Sequence, residues 1–437
     1  MNPAEFPKVL VLAMGRVNAA DANSNGLLLR NLFEEWPRQR TAQIWSSGDN
    51  GDPGYFGRTY QLGPTDRHLG RLFYRMKKAS LETSGDGGDA SGTAQGRQGL
   101  MGWAHHNFVA SGLYELAFLP KVSRAMAAWV ADFDPDVIFA QGYNITFAQL
   151  PVLLAERFQK PLVYYPTDDW PSLAYRIFKH RLPLLSRFLD RTVSSAASAL
   201  ATRASVPLAF NPYMGAEYLR RYGKPFHVLM HGDSPARFEA AGIDRRADGD
   251  ECWIVATGSF NASRIPLLRD LDRACARLAR SGIKARATVF PANRLPAEMT
   301  REGALAHVGV EPCPSHEGLA AVLRGADILF LPERFDDSSG GIGLSVSSKA
   351  HLFMFSGRPT VVYSSPETGL ARYAREQGWA DLVDRADDAA LAEALARLVT
   401  DREHRAGLVR RALEVATANH DMGAIRGRFY DLLRAPR

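Results

Sequence analysis

Residues 8–36, KVLVLAMGRVNAADANSNGLLLRNLFEEW, decide the fold. Lys8–Met14 is a short, nearly continuous apolar run, the pattern of a strand buried on both faces. Gly15–Asn25 is a polar loop. Gly26–Trp36 then spaces its apolar residues as a helix does, and Asn23, Ser24 and Asn25 all suit the cap of that helix. Strand, loop and capped helix form the opening unit of a doubly wound parallel sheet.

Working outward, the alternation predicts a helix over Pro120–Asp132, a strand at Asp136–Ala140, a helix at Phe147–Phe158 and a strand at Pro161–Tyr165. Helices near Tyr175–Arg191 and Tyr213–Tyr222 and strand-like Val228–Met230 follow. A second series opens with the strand Trp253–Thr257, Gly258-Ser259 and a helix at Ile265–Ser281. It continues with strands at Ala287–Phe290 and His307–Val310, a helix at His316–Gly325, a strand at Asp327–Leu331, a helix at Ser347–Ser356 and a strand at Thr360–Tyr363. The fold class is therefore α/β, with two Rossmann-like domains expected to face across a cleft. Residues 1–232 form the first domain and 233–420 the second, and 421–437 is a helix expected to pack back on the first. The Gly-, Ser- and Asp-rich segment near 82–100 reads as a mobile surface loop.

The chain has 437 residues, 46% apolar and 23% charged, which excludes disordered, collagen-like and coiled-coil classes. Cys252, Cys275 and Cys313 are widely spaced, without a metal-binding pattern, and read as reduced core or near-core residues of a cytoplasmic protein. The amino-terminal apolar run, Val9–Met14, is too short for a signal-peptide core or a membrane span. The formal charge of +6 is concentrated between Pro171 and Met230. There Arg176, Lys179, Arg181, Arg187, Arg191, Arg203, Arg220, Arg221 and Lys224 face only Asp190 and Glu217. One basic surface fits this better than a general nucleic-acid coat, and no nucleic-acid motif accompanies it. Within Tyr175–Arg191 the cations alternate with Ile177, Phe178, Leu182, Leu184, Leu185, Phe188 and Leu189, the composition of a helix lying on an anionic membrane surface. A solvated helix interrupted by Pro183 also accounts for it.

Parallel sheets bind ligands at the carboxyl ends of their strands, so the loops there carry the candidates. Asn25 and Gly26 begin the first helix, where backbone amides favour an anion or a hydroxyl, although a plain cap explains them too. Gly258, Ser259, Asn261 and Arg264 occupy the equivalent turn of the second domain, with the amides, hydroxyl and guanidinium a pyrophosphate needs. The loop from Glu333 to Lys349 holds Gly340, Gly341 and Gly343, then Ser347, Ser348 and Lys349. A lysine at a helix amino terminus opposes the helix dipole unless an anion sits there as well. Asp168, Asp169 and Trp170 follow a buried strand of the first domain, where a carboxylate could orient or deprotonate a hydroxyl. Adjacent carboxylates diverge, so neither this pair nor Asp336-Asp337 makes a good chelate, and no metal or other cofactor is expected. His105, His106 and His351 read as structural.

The chain resembles the GT-B glycosyltransferases, specifically the retaining family-4-like group that uses nucleotide sugars. The resemblance rests on Ser348-Lys349 through Phe353 and Ser356-Gly357-Arg358-Pro359, on His231-Gly232-Asp233 with Phe238, on Asp134–Ile138, and on Asp168-Asp169-Trp170. It implies that Arg264 and Lys349 hold a donor diphosphate, that the loop from Glu333 to Ser348 holds the sugar, and that Glu333 is the acid contacting it. Leu352 stands where the family usually has a glutamate associated with the nucleotide ribose.

These readings lead to transfer of a sugar from a nucleotide-diphosphate sugar to an acceptor hydroxyl in polysaccharide or glycolipid synthesis. Asp168, Asp169 and Glu333 are the catalytic candidates, and the partners are a nucleotide sugar and a carbohydrate or lipid-linked acceptor. A GT-B-shaped sugar-nucleotide epimerase and a catalytically silent sugar- or nucleotide-binding protein are the alternatives.

Overall fold

The computed structural model describes residues 5–18, 24–46, 54–70, 119–173, 183–246, 251–301, 305–335 and 342–434. The chain divides into two units, Met1–Val228 with Phe429–Arg437, and Leu229–Arg428. The first crossing thus lies just before the boundary expected at 232.

In the first unit the described strands are β1 (Val9–Leu12), β2 (Thr41–Trp45), β3 (Arg58–Gln61), β4 (Val137–Ala140), β5 (Leu162–Tyr164), β6 (Val206–Ala209) and β7 (His227–Val228). They form one sheet in the order β3-β2-β1-β4-β5-β6-β7, and neighbouring strands run parallel throughout. Every residue of β1 and β4 is buried, as a central strand covered by helices on both faces must be. The helix Ile145–Phe158 is capped by Asn144, whose Oδ1 accepts from the Phe147 amide at 2.8 Å. Its Leu150 and Leu154 pack in one core with Leu10, Ile138 and Leu200.

The second unit holds β8 (Cys252–Gly258), β9 (Ala285–Pro291), β10 (Val308–Val310), β11 (Ile328–Pro332), β12 (Thr360–Tyr363) and β13 (Asp381–Val383). Their order is β10-β9-β8-β11-β12-β13, again parallel. The helix Ile265–Arg280 lays Leu268, Leu271 and Cys275 on this sheet beside Ile254, Phe330 and Tyr363.

The strand order of each sheet reverses at one place, between β1 and β4 in the first unit and between β8 and β11 in the second. Loops leaving those strands diverge to opposite faces and open a crevice at the carboxyl ends. The candidate site residues lie in or near these loops.

The last helix, Met422–Arg434, starts in the second unit and ends in the first. Phe429 is fully buried there, with ring centroids 5.2 Å from Phe33 and 5.8 Å from Phe139. Tyr430 meets Phe6 at 5.0 Å and donates to the Glu5 carbonyl at 3.2 Å. The first crossing is fixed within the second unit: the Asp233 amide donates to the His420 carbonyl at 3.1 Å and the Met422 amide to the Asp233 carbonyl at 3.0 Å. A Cβ on Gly232 would lie 2.3 Å from that His420 oxygen, which leaves room for glycine alone.

Several expectations need correction. Cys252 and Cys275 are buried, but Cys313 is exposed. The helix expected to end at Arg191 runs on to Arg203. The expected mobile loop at 82–100, His105, His106, Asp336-Asp337 and residues 174–182 lie outside the described residues.

Candidate functional site

In the second unit β8 ends on Gly258, whose φ of +119° is a conformation that side chains disfavour. The lysine side chain explains the need for it. A Cβ at this position would fall 2.7 Å from Lys349 Cε and 2.9 Å from its Nζ. The absent side chain is therefore the channel along which Lys349 crosses the end of β8.

Lys349 caps the helix Ala350–Phe355 in an α conformation, and its own amide donates to Ser347 Oγ at 3.4 Å. The helix was expected from Ser347; it starts at Ala350, which leaves Ser347 and Ser348 in the preceding turn, both half-buried. Burial first and the nearby Arg264 cation second together lower the Lys349 ammonium to about 8, with Glu333 working in the opposite direction.

Arg264 and Glu333 meet across the reversal between β8 and β11. Glu333 follows the last residue of β11 and is only 8% exposed. Arg264 Nε donates to its Oε1 at 3.1 Å, and Nη2 to Oε1 and Oε2 at 2.7 Å each. The remaining nitrogen, Nη1, donates to the Ser259 carbonyl at 2.9 Å. Asn261 shapes this turn, because its carbonyl accepts the amides of Arg264 and Ile265. Those amides are thus committed inside the turn, and Pro266 has none to offer. The expectation of free helix amides for a pyrophosphate is corrected accordingly: what the turn offers a ligand is side-chain charge. Gly341 lies outside the described residues.

In the first unit the two adjacent aspartates differ in burial, Asp168 exposed and Asp169 buried. Asp169 is buried and accepts from Arg221 Nη1 at 2.7 Å, Arg221 Nη2 at 2.9 Å, Tyr218 at 3.1 Å and Ser172 at 2.6 Å. Both oxygens are fully used by the fold, so Asp169 is ill placed as a base. Asp168 is exposed. Enough protein still surrounds its carboxyl to raise its pKa, and the Asp169 charge raises it further. Trp170 is a buried core residue of this unit.

Asn25 lies inside the helix Ser24–Leu32 and not at its cap; Gly26 is buried in the same helix. The Asn25 Oδ1 accepts from Tyr143 at 3.3 Å and from Thr167 Oγ1 at 3.2 Å, and the Tyr143 and Thr167 hydroxyls bond each other. This cluster ties the loop after β4 and the residue before Asp168 to the first helix. Burial holds the Tyr143 phenol far above its ordinary range. Sequence reasoning missed Tyr143, although its place just after the strand VIFA obeys the same rule that found Asp168.

Part of the basic surface is engaged within the fold. Arg220 and Arg221 both pair with Glu217, and those cations hold its carboxyl down at about 2 against the opposing effect of burial. Lys224 binds the carbonyls of Thr202 and Ala204. His351 stacks between His231 and His420, with centroids 6.1 and 5.9 Å away. Among the described residues, no three His, Cys, Asp or Glu side chains converge as a metal site would require.

No protein-family model matches this sequence, and no curated protein matches it. Its fold has clear counterparts among solved structures. HepE of Anabaena in complex with UDP and glucose is 13% identical, with a TM-score of 0.60 over 98% of this chain and 100% of that one. Sucrose-phosphate synthase from Thermosynechococcus elongatus is 16% identical, with a TM-score of 0.62 over 98% of each. A UDP-forming trehalose-phosphate synthase from Burkholderia vietnamiensis is 14% identical, with a TM-score of 0.59 over 98% and 100%. At these identities the likeness is one of fold, and the fold of this chain, two parallel-sheet units each of Rossmann type, is the GT-B fold of those glycosyltransferases.

Proposed function

We propose that the protein is a glycosyltransferase that moves a sugar from a nucleotide-diphosphate sugar to an acceptor hydroxyl. The observation that carries this reading is Lys349 lying across Gly258 with Arg264 alongside. Two cations thereby converge at the carboxyl end of the second sheet, where its strand order reverses. Departure of a nucleotide diphosphate leaves negative charge on its terminal phosphate, and fixed cations there stabilise the transition state. The complexes of HepE with UDP and glucose, and of the E. coli trehalose-phosphate protein with UDP-2-fluoro glucose, support a uridine nucleotide as the first donor to try.

Asp168 orients or deprotonates the acceptor hydroxyl in the first unit, and the transfer is of the retaining, hexosyl type. The chemistry needs no metal, because Arg264 and Lys349 supply the positive charge. The acceptor is carbohydrate or lipid-linked, in polysaccharide or glycolipid synthesis at the cytoplasmic side of a membrane. Leu184 and Phe188, 79% and 56% exposed on one helix with Arg187 and Arg191, support contact with an anionic membrane surface. Among the described residues no helix is long and apolar enough to cross a membrane.

The test is mass spectrometry of purified protein incubated with a panel of nucleotide sugars and candidate acceptors. Nucleotide diphosphate release that persists unchanged in Lys349→Ala and Arg264→Ala would sink this site. Interconversion of the donor sugar without transfer would point to the epimerase, and binding without turnover to the silent sugar-binding protein. Co-sedimentation with anionic vesicles that Leu184→Ser/Phe188→Ser does not reduce would remove the membrane contact.

A further inference from the structure

We propose that Glu333 holds Arg264 in place of a phosphate, and that ligand entry exchanges this carboxylate for a phosphate oxygen on the same edge of the guanidinium. The inference rests on the reading of the site as one for a nucleotide diphosphate, and it concerns how charge is balanced within that site.

A guanidinium has five N–H donors, and only a paired edge binds an oxyanion through two parallel bonds. In Arg264 the Nε and Nη2 edge is taken by Glu333, and Nη1 is engaged by the Ser259 carbonyl. That edge is closed to a phosphate while Glu333 stays. The pair is also sheltered, with the side chains only 20% and 11% exposed, so water contributes little to loosening it. Lys349 lies close enough to be influenced by both partners. The site thus sets two cations against one carboxylate, and a diphosphate supplies the charge that releases the carboxylate from its partner.

Glu333 consequently opposes phosphate binding, and it becomes free to meet a sugar hydroxyl only after a phosphate has taken its place. A sugar without the diphosphate finds this carboxylate occupied. Recognition of the sugar becomes conditional on recognition of the phosphate.

Calorimetric titration with UDP tests the exchange, because UDP carries the phosphates without the sugar. Glu333→Gln keeps the shape and removes the charge, and UDP should bind it about tenfold more tightly than wild type. Uridine should bind the two proteins equally. The gain should vanish when Glu333→Gln is made in an Arg264→Ala background, and Glu333→Asp, with a shorter reach to the guanidinium, should show a smaller gain. Should Glu333→Gln fail to fold, Glu333→Asp alone carries the test. Wild-type binding of UDP that these Glu333 variants leave unchanged or weaken overturns the exchange. Failure of wild type to bind UDP, ADP or GDP overturns the nucleotide-diphosphate reading itself, and the exchange falls with it.

Discussion

Gly258 and Lys349 are complementary: the lysine side chain occupies the space that any other residue at 258 would fill, within 2.9 Å of the missing Cβ. Gly258→Ala therefore has two costs. Its φ of +119° becomes strained, at about 1–3 kcal/mol, and Lys349 is pushed from its path. We expect a lower melting temperature together with weakened nucleotide binding, measured by scanning calorimetry and UDP titration. A variant that loses stability but keeps wild-type affinity would separate the glycine from the site.

Lys349 gives the site a pH dependence. Its ammonium titrates at about 8 when folded against 10.5 for the ordinary side chain. The charged form attracts phosphate, so affinity for UDP should fall as pH rises through about 8. Folding shows the opposite sign: between 8 and 10.5 the unfolded chain binds more protons, so stability contributed by this group rises with pH across that window. Lys349→Met should abolish nucleotide binding yet melt slightly higher than wild type at neutral pH. Equal melting temperatures across this range for both proteins would contradict the assignment.

The aspartate pair should split by substitution. Asp169→Asn breaks a buried bidentate pair with Arg221 and should cost about 3–5 kcal/mol in denaturant unfolding. Asp168→Asn should leave stability nearly unchanged and lower turnover about 100-fold or more, as loss of a general base does. The acid limb of the wild-type rate profile should lie above the usual carboxylate range, because burial and Asp169 raise the Asp168 pKa. A swap of these phenotypes would reverse the roles.

The histidine stack predicts acid sensitivity. Burial lowers His231 to about 3, with His420 adding repulsion, and burial lowers His420 to about 4. Unfolded imidazoles near 6.5 bind more protons than these do, so stability should fall as pH drops through 6.5 toward 4. His231→Gln keeps the backbone carbonyl that binds His420 and should flatten the slope of unfolding free energy with pH. An unaltered slope would place the sensitivity elsewhere.

The strands at the centre of each sheet were legible because burial on both faces leaves a local, contiguous mark, as in Val9–Leu12 and Cys252–Gly258. β2, with the sequence TAQIW, escaped notice because its buried Gln43 breaks the apolar run. That glutamine binds the Val17 amide at 3.1 Å and the Gly15 carbonyl at 2.8 Å, ordering the loop after β1. Lys349 stood out because it contradicts a local rule. The difference in burial between Asp168 and Asp169 did not, since the deciding partner, Arg221, is 52 residues away. The link between Arg264 and Glu333 spans 69 residues and is equally silent in the sequence.

Phe429, placed in the first unit's core by the last helix, bears on how the protein is made. A ribosome that has released residues through Val228 has yet to synthesise the side chain that fills the space among Phe33, Trp36 and Phe139. At about 5–20 residues per second, the wait is roughly 10–40 s. During that interval the amino-terminal unit exposes an aromatic cavity while the second unit emerges, so a nascent chain should engage chaperones longer than its first 228 residues alone suggest. Moving the Phe429–Arg434 segment to the amino terminus by circular permutation would end the delay.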